Sequence, residues 1–495
     1  MKLKTRIFEI ESGGAFIILL NEKNAKDLDV FPGDRVRILN SRKYIIAIVD
    51  IAKHLKDTEV GIYSEVKAQL NLSSGEFVDL IPEEKPESVS SIKKKLDNKE
   101  LTRDEIFHIV EDIVDNSLTQ AELAYLISSA YTRGFSMKET HNFILAMAHS
   151  GEMLKWSTKP VMDLHCIGGV PGNRTTMIIV PIIAAAGLKI PKTSSRSITS
   201  PSGTADTMEV LANVSFKSIE QIKFTVNEAN GCIVWGGSLN LAPADDEIVK
   251  VEHPLDLDPT PMLLSSIIAK KYVAGATHVL LDIPIGKYVK VRDDTRYNEL
   301  KSKFEELGAA LGMKFKVIRT NGDQPIGNGL GPALEARDIL WVLKNDDRGP
   351  KDLRDKSIMM SGLMLEMAGK AKAGQGAKMA QEILDSGKAF EKMVQIIKLQ
   401  GGKNFDPDKI KPGKFSMEFK ARSAGKITEI YNPLVTKVAR LAGAPRNKHA
   451  GVYIHKHLKA VVKKGEVLFT IYSESERKLD EASKFALANH PFKII

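Results

Sequence analysis

The stretch "DLHCIGGVPGNRTT", residues 163–176, joins a short apolar strand at Val161 and Met162 to a strongly apolar run, "TTMIIVPIIAAAG". A strand passing through Gly168, Gly169 and Gly172 into a helix is the local signature of an open α/β sheet. Ligands of such sheets sit off the carboxyl ends of the strands. Glycines let backbone amides approach an anion without a Cβ in the way, and the helix start adds partial positive charge. Thr175 and Thr176 offer hydroxyl donors. The bend is therefore suited to hold phosphate, although a plain tight turn has the same local sequence.

Outward from that bend, strands and helices alternate from residue 160 to about 345: "VMDLH", "IPKTSS", "GCIVWGG" and "HVLLDIPIG", with helical runs between. Such alternation predicts a central α/β domain with a mixed, largely parallel sheet. Upstream, "AFIILL", "DRVRILN" and "KYIIAIVDI" are β-branched runs punctuated by "FPGD" and "SSGE", which predicts a small β domain over 1–84. "PEEKPES" reads as a linker. Thr102/Glu105, Thr119/Glu122 and Ser136/Glu139 each have capping-box spacing before an apolar-periodic run, so 85–160 reads as a helical domain. Helices returning to it are expected from about 205–225. The central domain is expected over 161–413, with Met-rich "MMSGLMLEMAG" as core. Residues 414–495 turn to strand again and predict an α+β domain, with a hairpin around "KKGEV".

The bulk numbers narrow the function classes. The chain has 495 residues, 43% hydrophobic and 27% charged, with a net charge of +9. A basic excess suits an anionic substrate. Aromatics are only 6%, and "IKKKLDNKELTRDE" soon mixes with acids and reads as a solvated helix face, so nucleic acid is not an expected partner. Cys166 and Cys232 make no CxxC pair, and no metal site or cofactor motif is legible. No run is long and apolar enough for a membrane span, and a cytoplasmic location is the expectation.

Three more segments bear on chemistry. "TSSRSITSPSGTAD", 193–206, crowds hydroxyls around Arg196 ahead of a helix, a second anion-suited loop after a strand of the same α/β unit. In "DLDPTPMLLSSIIAKKYVAG", 256–275, Ser266 and Lys270 share a helix face, and Asp258 lies near the helix start as either a cap or a functional carboxylate. "DIPIGKYVKVRD" supplies Lys287 and Lys290. His165 at the strand end reads as structural. No GxSxG, HExxH, Walker A or GxGxxG is present, which excludes the familiar serine hydrolase, zincin, P-loop and dinucleotide patterns.

Taken together, "DLHCIGGV", "SSRSITSPSGTADTMEVL", "SLNLAPADDEI", "SSIIAKK" and "GDQPIGNGLGPALE" occur in the order seen in thymidine and pyrimidine-nucleoside phosphorylases, and the chain resembles that family over about 90–475. It is more similar to the archaeal branch, the AMP phosphorylases, which carry an extra N-terminal β domain. Leu164, Cys166 and Ile167 replace a Lys, a Ser and a Thr of the pyrimidine enzymes, and Val251 falls near their base-binding arginine. The resemblance implies that Gly169, Ser195, Arg196, Ser197, Ile198, Thr199, Ser200, Thr204, Ser266 and Lys290 bind the nucleotide, and that Asp258 donates the proton. Gly168, Thr176, Ser194 and Lys270 are candidates for phosphate. The expected reaction is phosphorolysis of nucleoside 5′-monophosphates: AMP and phosphate to adenine and ribose 1,5-bisphosphate, with CMP and UMP as further substrates. Phosphate is a co-substrate and no cofactor is implied. A nucleoside phosphorylase or an anthranilate-type phosphoribosyltransferase is the alternative. The resemblance implies a homodimer or larger homo-oligomer. A free Asp titrates near 3.9, so burial or a shared proton must raise Asp258 by about two units to make it a useful acid.

Overall fold

A computed structural model describes residues 1–41, 43–197, 200–238 and 241–495. The chain folds as two units, one of Met1–Ser150 with Ala242–Ser266, the other of Gly151–Leu241 with Ile267–Ile495. The expected multidomain α/β architecture is present, with the details below.

The first unit begins with a closed barrel of six strands, Lys2–Ile7, Ile17–Leu20, Arg35–Asn40, Lys43–Ile51, Glu59–Ile62 and Phe77–Glu83. Strand period dictates its interior: Val78 and Leu80 point in while Phe77, Asp79 and Ile81 point out. The first and fifth strands pair in parallel, as do the second and fourth. Short helices Glu22–Leu28 and Ser64–Leu70 serve as connections and end on left-handed Asp29 and Asn71.

Four helices follow, Ser88–Leu96, Arg103–Val114, Gln120–Thr132 and Met137–His149. All three capping boxes form. In the third, Ser136 Oγ accepts from Glu139 N at 3.1 Å, and Glu139 Oε2 accepts from Ser136 N at 2.8 Å. Glu139 also accepts from Leu101 N and pairs with Lys95, each at 2.8 Å. Lys95 is therefore buried, which corrects the reading of "IKKKLDNKE" as wholly solvated. The returning segment is also not 205–225. Helix Ile219–Ala229 packs beside strand Gly231–Trp235 in the second unit, and it is Pro243–Leu255 that packs on the helical layer. The apolar face of Ile219, Ile222 and Val226 serves the α/β core instead.

The second unit is built on five strands, in the order Lys314–Asn321, His278–Ile285, Met162–Cys166, Ile190–Ser194 and Gly231–Trp235. The third and fourth are joined by a Val161–Lys189 bridge. Among the described residues every pairing in this sheet is parallel. Helix Thr176–Ala185 is apolar on all sides because it is buried between the sheet and helices Lys351–Met367 and Lys388–Leu399. Met360 and Met364 lie fully inside.

Beyond residue 413 two small antiparallel sheets pack with helices Asn432–Leu441 and Glu476–Asn489. One includes Gly329–Leu330, contributed by "GNGLG" of the α/β domain, against Gly451–Ile454. The expected hairpin does not form. Val461–Val462 pairs with Gly425–Lys426, while Val467–Ser473 pairs with Phe415–Lys420 and Gly451–Ile454. The turn at Gly465 carries the chain from one sheet to the other, so the apolar runs on its two sides serve different sheets.

Candidate active site

The two glycine- and hydroxyl-rich loops leave neighbouring parallel strands, so both emerge at the carboxyl edge of the sheet. In the first, Gly168 and Gly169 both take φ of +93°, a conformation that side chains resist. A Cβ on Gly169 would lie 2.9 Å from Val289 Cα and 3.1 Å from Lys290 N, whereas one on Gly168 would meet nothing within 4 Å. The Gly168–Gly169 bend is thus pressed against the Lys290 segment on one side and open on the other. Thr176 is half-buried in the first turn of its helix.

The second loop is held by acids that the sequence reading did not single out. Asp206 accepts from Ser197 N at 2.7 Å and Gly203 N at 2.8 Å. Arg196 forms a fork with Glu209 at 2.9 and 2.7 Å and lies over the Trp235 ring at 4.9 Å. Its guanidinium is thus engaged in bracing the loop. Ser194 gives its hydroxyl proton to Val234 O at 2.9 Å, and Ser200 gives its own to Ser202 O at 2.8 Å. Ser197 also donates to Ser200 O. Ser195 is exposed and Thr204 half-buried. Ile198 and Thr199 lie outside the described residues.

The two loops are laced together. Arg174, which follows the first bend, donates to the carbonyl of Ser202 in the second loop. It also pairs with Glu335 Oε2 at 2.6 Å, and Thr207 donates to that same oxygen at 2.8 Å. Burial pushes the Glu335 carboxyl up, against the pull of Arg174 and Thr207. A further network lies under the first bend. Buried Asp282 accepts from Thr320 Oγ1 at 2.5 Å, pairs with Lys356 at 2.7 Å and reaches Asn173 Nδ2 at 3.5 Å. Asn173 also contacts Cys166 Sγ at 3.1 Å. Burial, with Asp282 adding to it, pushes the Cys166 thiol up to about 12, so it stays protonated and is not a nucleophile.

Positive charge collects at the same edge. Burial pushes the His165 imidazole well below its usual range, and Lys271, Lys192, Lys270 and Lys290 each push it further. His165 is therefore a neutral ring among four lysines. Lys290 is exposed and Lys270 half-buried. Lys287 turns elsewhere and pairs with Glu429 at 2.6 Å.

Asp258 and Ser266 belong to the other unit. Asp258 is exposed just ahead of helix Thr260–Val273, on which Ser266 is half-buried. Val251 is half-buried on helix Pro243–Leu255. Among the described residues no group of three or more His, Cys, Asp or Glu is arranged to hold a metal ion, and no helix is long and apolar enough to cross a membrane.

Residues 158–390 match the glycosyl transferase family a/b domain, 89–151 the helical bundle domain of that family, and 426–493 the pyrimidine nucleoside phosphorylase C-terminal domain. A solved anthranilate phosphoribosyltransferase from Thermus thermophilus shares the fold at TM-score 0.53 and 19% identity, over 63% of this chain and 99% of that one. AMP phosphorylase of Thermococcus kodakarensis is 46% identical over 495 residues, covering 100% of this chain and 98% of that protein. AMP phosphorylase of Methanocaldococcus jannaschii is 42% identical over 493 residues, covering 99% and 97%. With two loops laced at the carboxyl edge of a parallel sheet and full-length similarity of this kind, the chain belongs to the AMP phosphorylases of the glycosyl transferase family.

Proposed function

We infer that the chain catalyses the phosphorolysis of AMP. An oxygen of inorganic phosphate attacks C1′ of the ribose, the bond from C1′ to the adenine nitrogen breaks, and the departing base takes up a proton. The products are adenine and ribose 1,5-bisphosphate. As in glycoside cleavage, positive charge develops on the sugar ring as the bond lengthens. The observation that carries this reading is the lacing of the two anion-suited loops through Arg174 and Ser202. Two phosphoryl groups, one on the nucleotide and one attacking, need two adjoining cradles. The first bend supplies bare amides, and the second supplies amides and hydroxyls of 195–197 and 200–204. Lys270 and Lys290 add charge that neither substrate has to bring.

Asp258 is the proton donor in this reading. The departures from the pyrimidine enzymes favour a nucleotide over a nucleoside. Leu164, Cys166 and Ile167 remove a Lys and two hydroxyls from the first motif, while Ser195 and Ser197 enrich the second. CMP and UMP are further substrates in this reading, phosphate is a co-substrate without any cofactor, and the working form is a homodimer or larger.

Incubation with AMP and phosphate, followed by chromatography for adenine and phosphorus NMR for the sugar bisphosphate, tests it. Adenine release that requires phosphate is expected, with adenosine a poor substrate. Equal turnover of adenosine would make it a nucleoside phosphorylase, and dependence on pyrophosphate a phosphoribosyltransferase.

A further inference from the structure

Three side chains in the second unit form a buried ionic cluster that the mechanism above does not use. Asp163 Oδ2 lies 3.0 Å from Lys271 Nζ, and its Oδ1 lies 3.5 Å from Lys192 Nζ. The side chains are 0%, 3% and 6% exposed respectively. Asp163 Oδ1 also accepts from Leu164 N at 2.6 Å. Each residue sits on a different element. Asp163 is on strand Met162–Cys166, which runs into the Gly168–Gly169 bend. Lys192 is on strand Ile190–Ser194, which runs into the hydroxyl loop. Lys271 is on helix Thr260–Val273, next to Lys270.

Stability does not explain this cluster. Removing three ions from water costs more than packing apolar groups of the same volume, and one carboxylate cannot neutralise two ammonium groups. The residual positive charge sits among the same lysines that surround His165. We propose that Asp163 is a positioning residue for anion binding: by clamping Lys192 and Lys271 together it fixes both loop-bearing strands against the helix that carries Lys270, and it keeps one uncompensated positive charge at the site of the phosphate groups. This rests on the phosphorolysis reading above.

The cluster has a titration consequence. Burial lowers Lys271 to about 7, with Lys192 lowering it further and Asp163 opposing. The neighbouring His165 is held neutral, and burial together with Asp163 pushes the Cys232 thiol up to about 12. Lys192, Lys270 and Lys290 are the remaining cations around His165. Neither His165 nor Cys232 changes charge near neutrality, whereas Lys271 is lowered to about 7. Its positive charge is present below about 7 and lost above.

The test compares wild type with Lys271→Arg, Lys271→Met and Asp163→Asn, each checked for folding by circular dichroism and melting. kcat/KM for AMP in the wild type should fall as pH rises through about 7. In Lys271→Arg that limb should move up by at least about one pH unit, because arginine stays charged. Ionisation of the substrates' own phosphate groups is common to both proteins and cancels in the comparison. Asp163→Asn should weaken inorganic phosphate binding, measured by calorimetry, by about tenfold or more. If Asp163→Asn does not fold, Lys271→Met keeps a neutral Asp163–Lys192 pair and should show the same loss. A folded variant that binds phosphate within about twofold of wild type, or an unmoved pH limb in Lys271→Arg, overturns the proposal. Absence of adenine release by the wild type would instead sink the phosphorolysis reading, and the phosphate-binding comparison would still decide the role of Asp163.

Discussion

Asp258 stands exposed ahead of its helix, and that position separates its two roles. Asparagine keeps the size and polarity of the side chain, so Asp258→Asn should leave the melting temperature close to that of wild type. If it protonates the leaving base, kcat should drop by about two orders of magnitude or more. A near-normal kcat in the Asn variant would reduce Asp258 to a helix-end residue. Glu209 works in the opposite way, through structure. Its hydrogen bond with Arg196 holds the carboxyl down at about 2, well below 4.5. The folded state therefore binds fewer protons than the unfolded state between those values. The stabilisation is fully present above 4.5 and is lost as pH falls toward 2. The Arg196 and Glu209 side chains are 35% and 27% exposed, so solvent screening limits the pair to about 1 kcal/mol. Glu209→Gln should cost that much near neutrality in urea denaturation, with the gap from wild type closing in acid. A gap that does not change with pH would mean that the loop is not held by this ion pair.

At the scale of elements, the first bend offers a matched comparison. Gly168 and Gly169 share φ of +93°, so alanine at either faces the left-handed penalty of about 1–2 kcal/mol. Only at Gly169 does the new Cβ also meet backbone, at Val289 Cα 2.9 Å away, which cannot rotate aside. Gly169→Ala should push the Lys290 segment outward and raise KM for phosphate, while Gly168→Ala should show the conformational cost alone. Equal KM values in steady-state assays would mean that contact with the Lys290 segment does not shape the site. This bend was legible in the sequence because a strand, a glycine pair and a helix start are contiguous, and the capping boxes were legible for the same reason. The Asp163, Lys192 and Lys271 cluster was not, because its members meet only once three elements are packed. Asp206 and Glu209 take their role only once the loop folds back on them, which no local pattern announces. The misread hairpin at Gly465 has the same origin: adjacent apolar runs suggest each other as partners, and nothing local announces that Val461–Val462 belongs with Gly425–Lys426.

At the scale of the molecule, composition shifts marked the change from strand-rich to helical sequence near residue 84, but not what joins the barrel to the helices within the first unit. That junction rests on Arg35. Its Nε donates to Ser117 O at 2.7 Å, and its guanidinium pairs with Glu122, the acid of the second capping box. The two side chains are 4% and 12% exposed. Breaking such a pair from one side strands a charge away from water, at a cost of about 3–5 kcal/mol. Arg35→Met should therefore destabilise the first unit by about that amount. Glu122→Gln should cost less, since glutamine can still reach back to the Thr119 amide and complete the cap. Made together, the two substitutions remove both charges, so their combined cost should fall short of the sum by about 1–3 kcal/mol. Chemical denaturation of the four proteins, read with proteolysis of the 84–87 segment, measures that coupling. If the costs add to within about 0.5 kcal/mol, the barrel is held to the helices by something other than this pair.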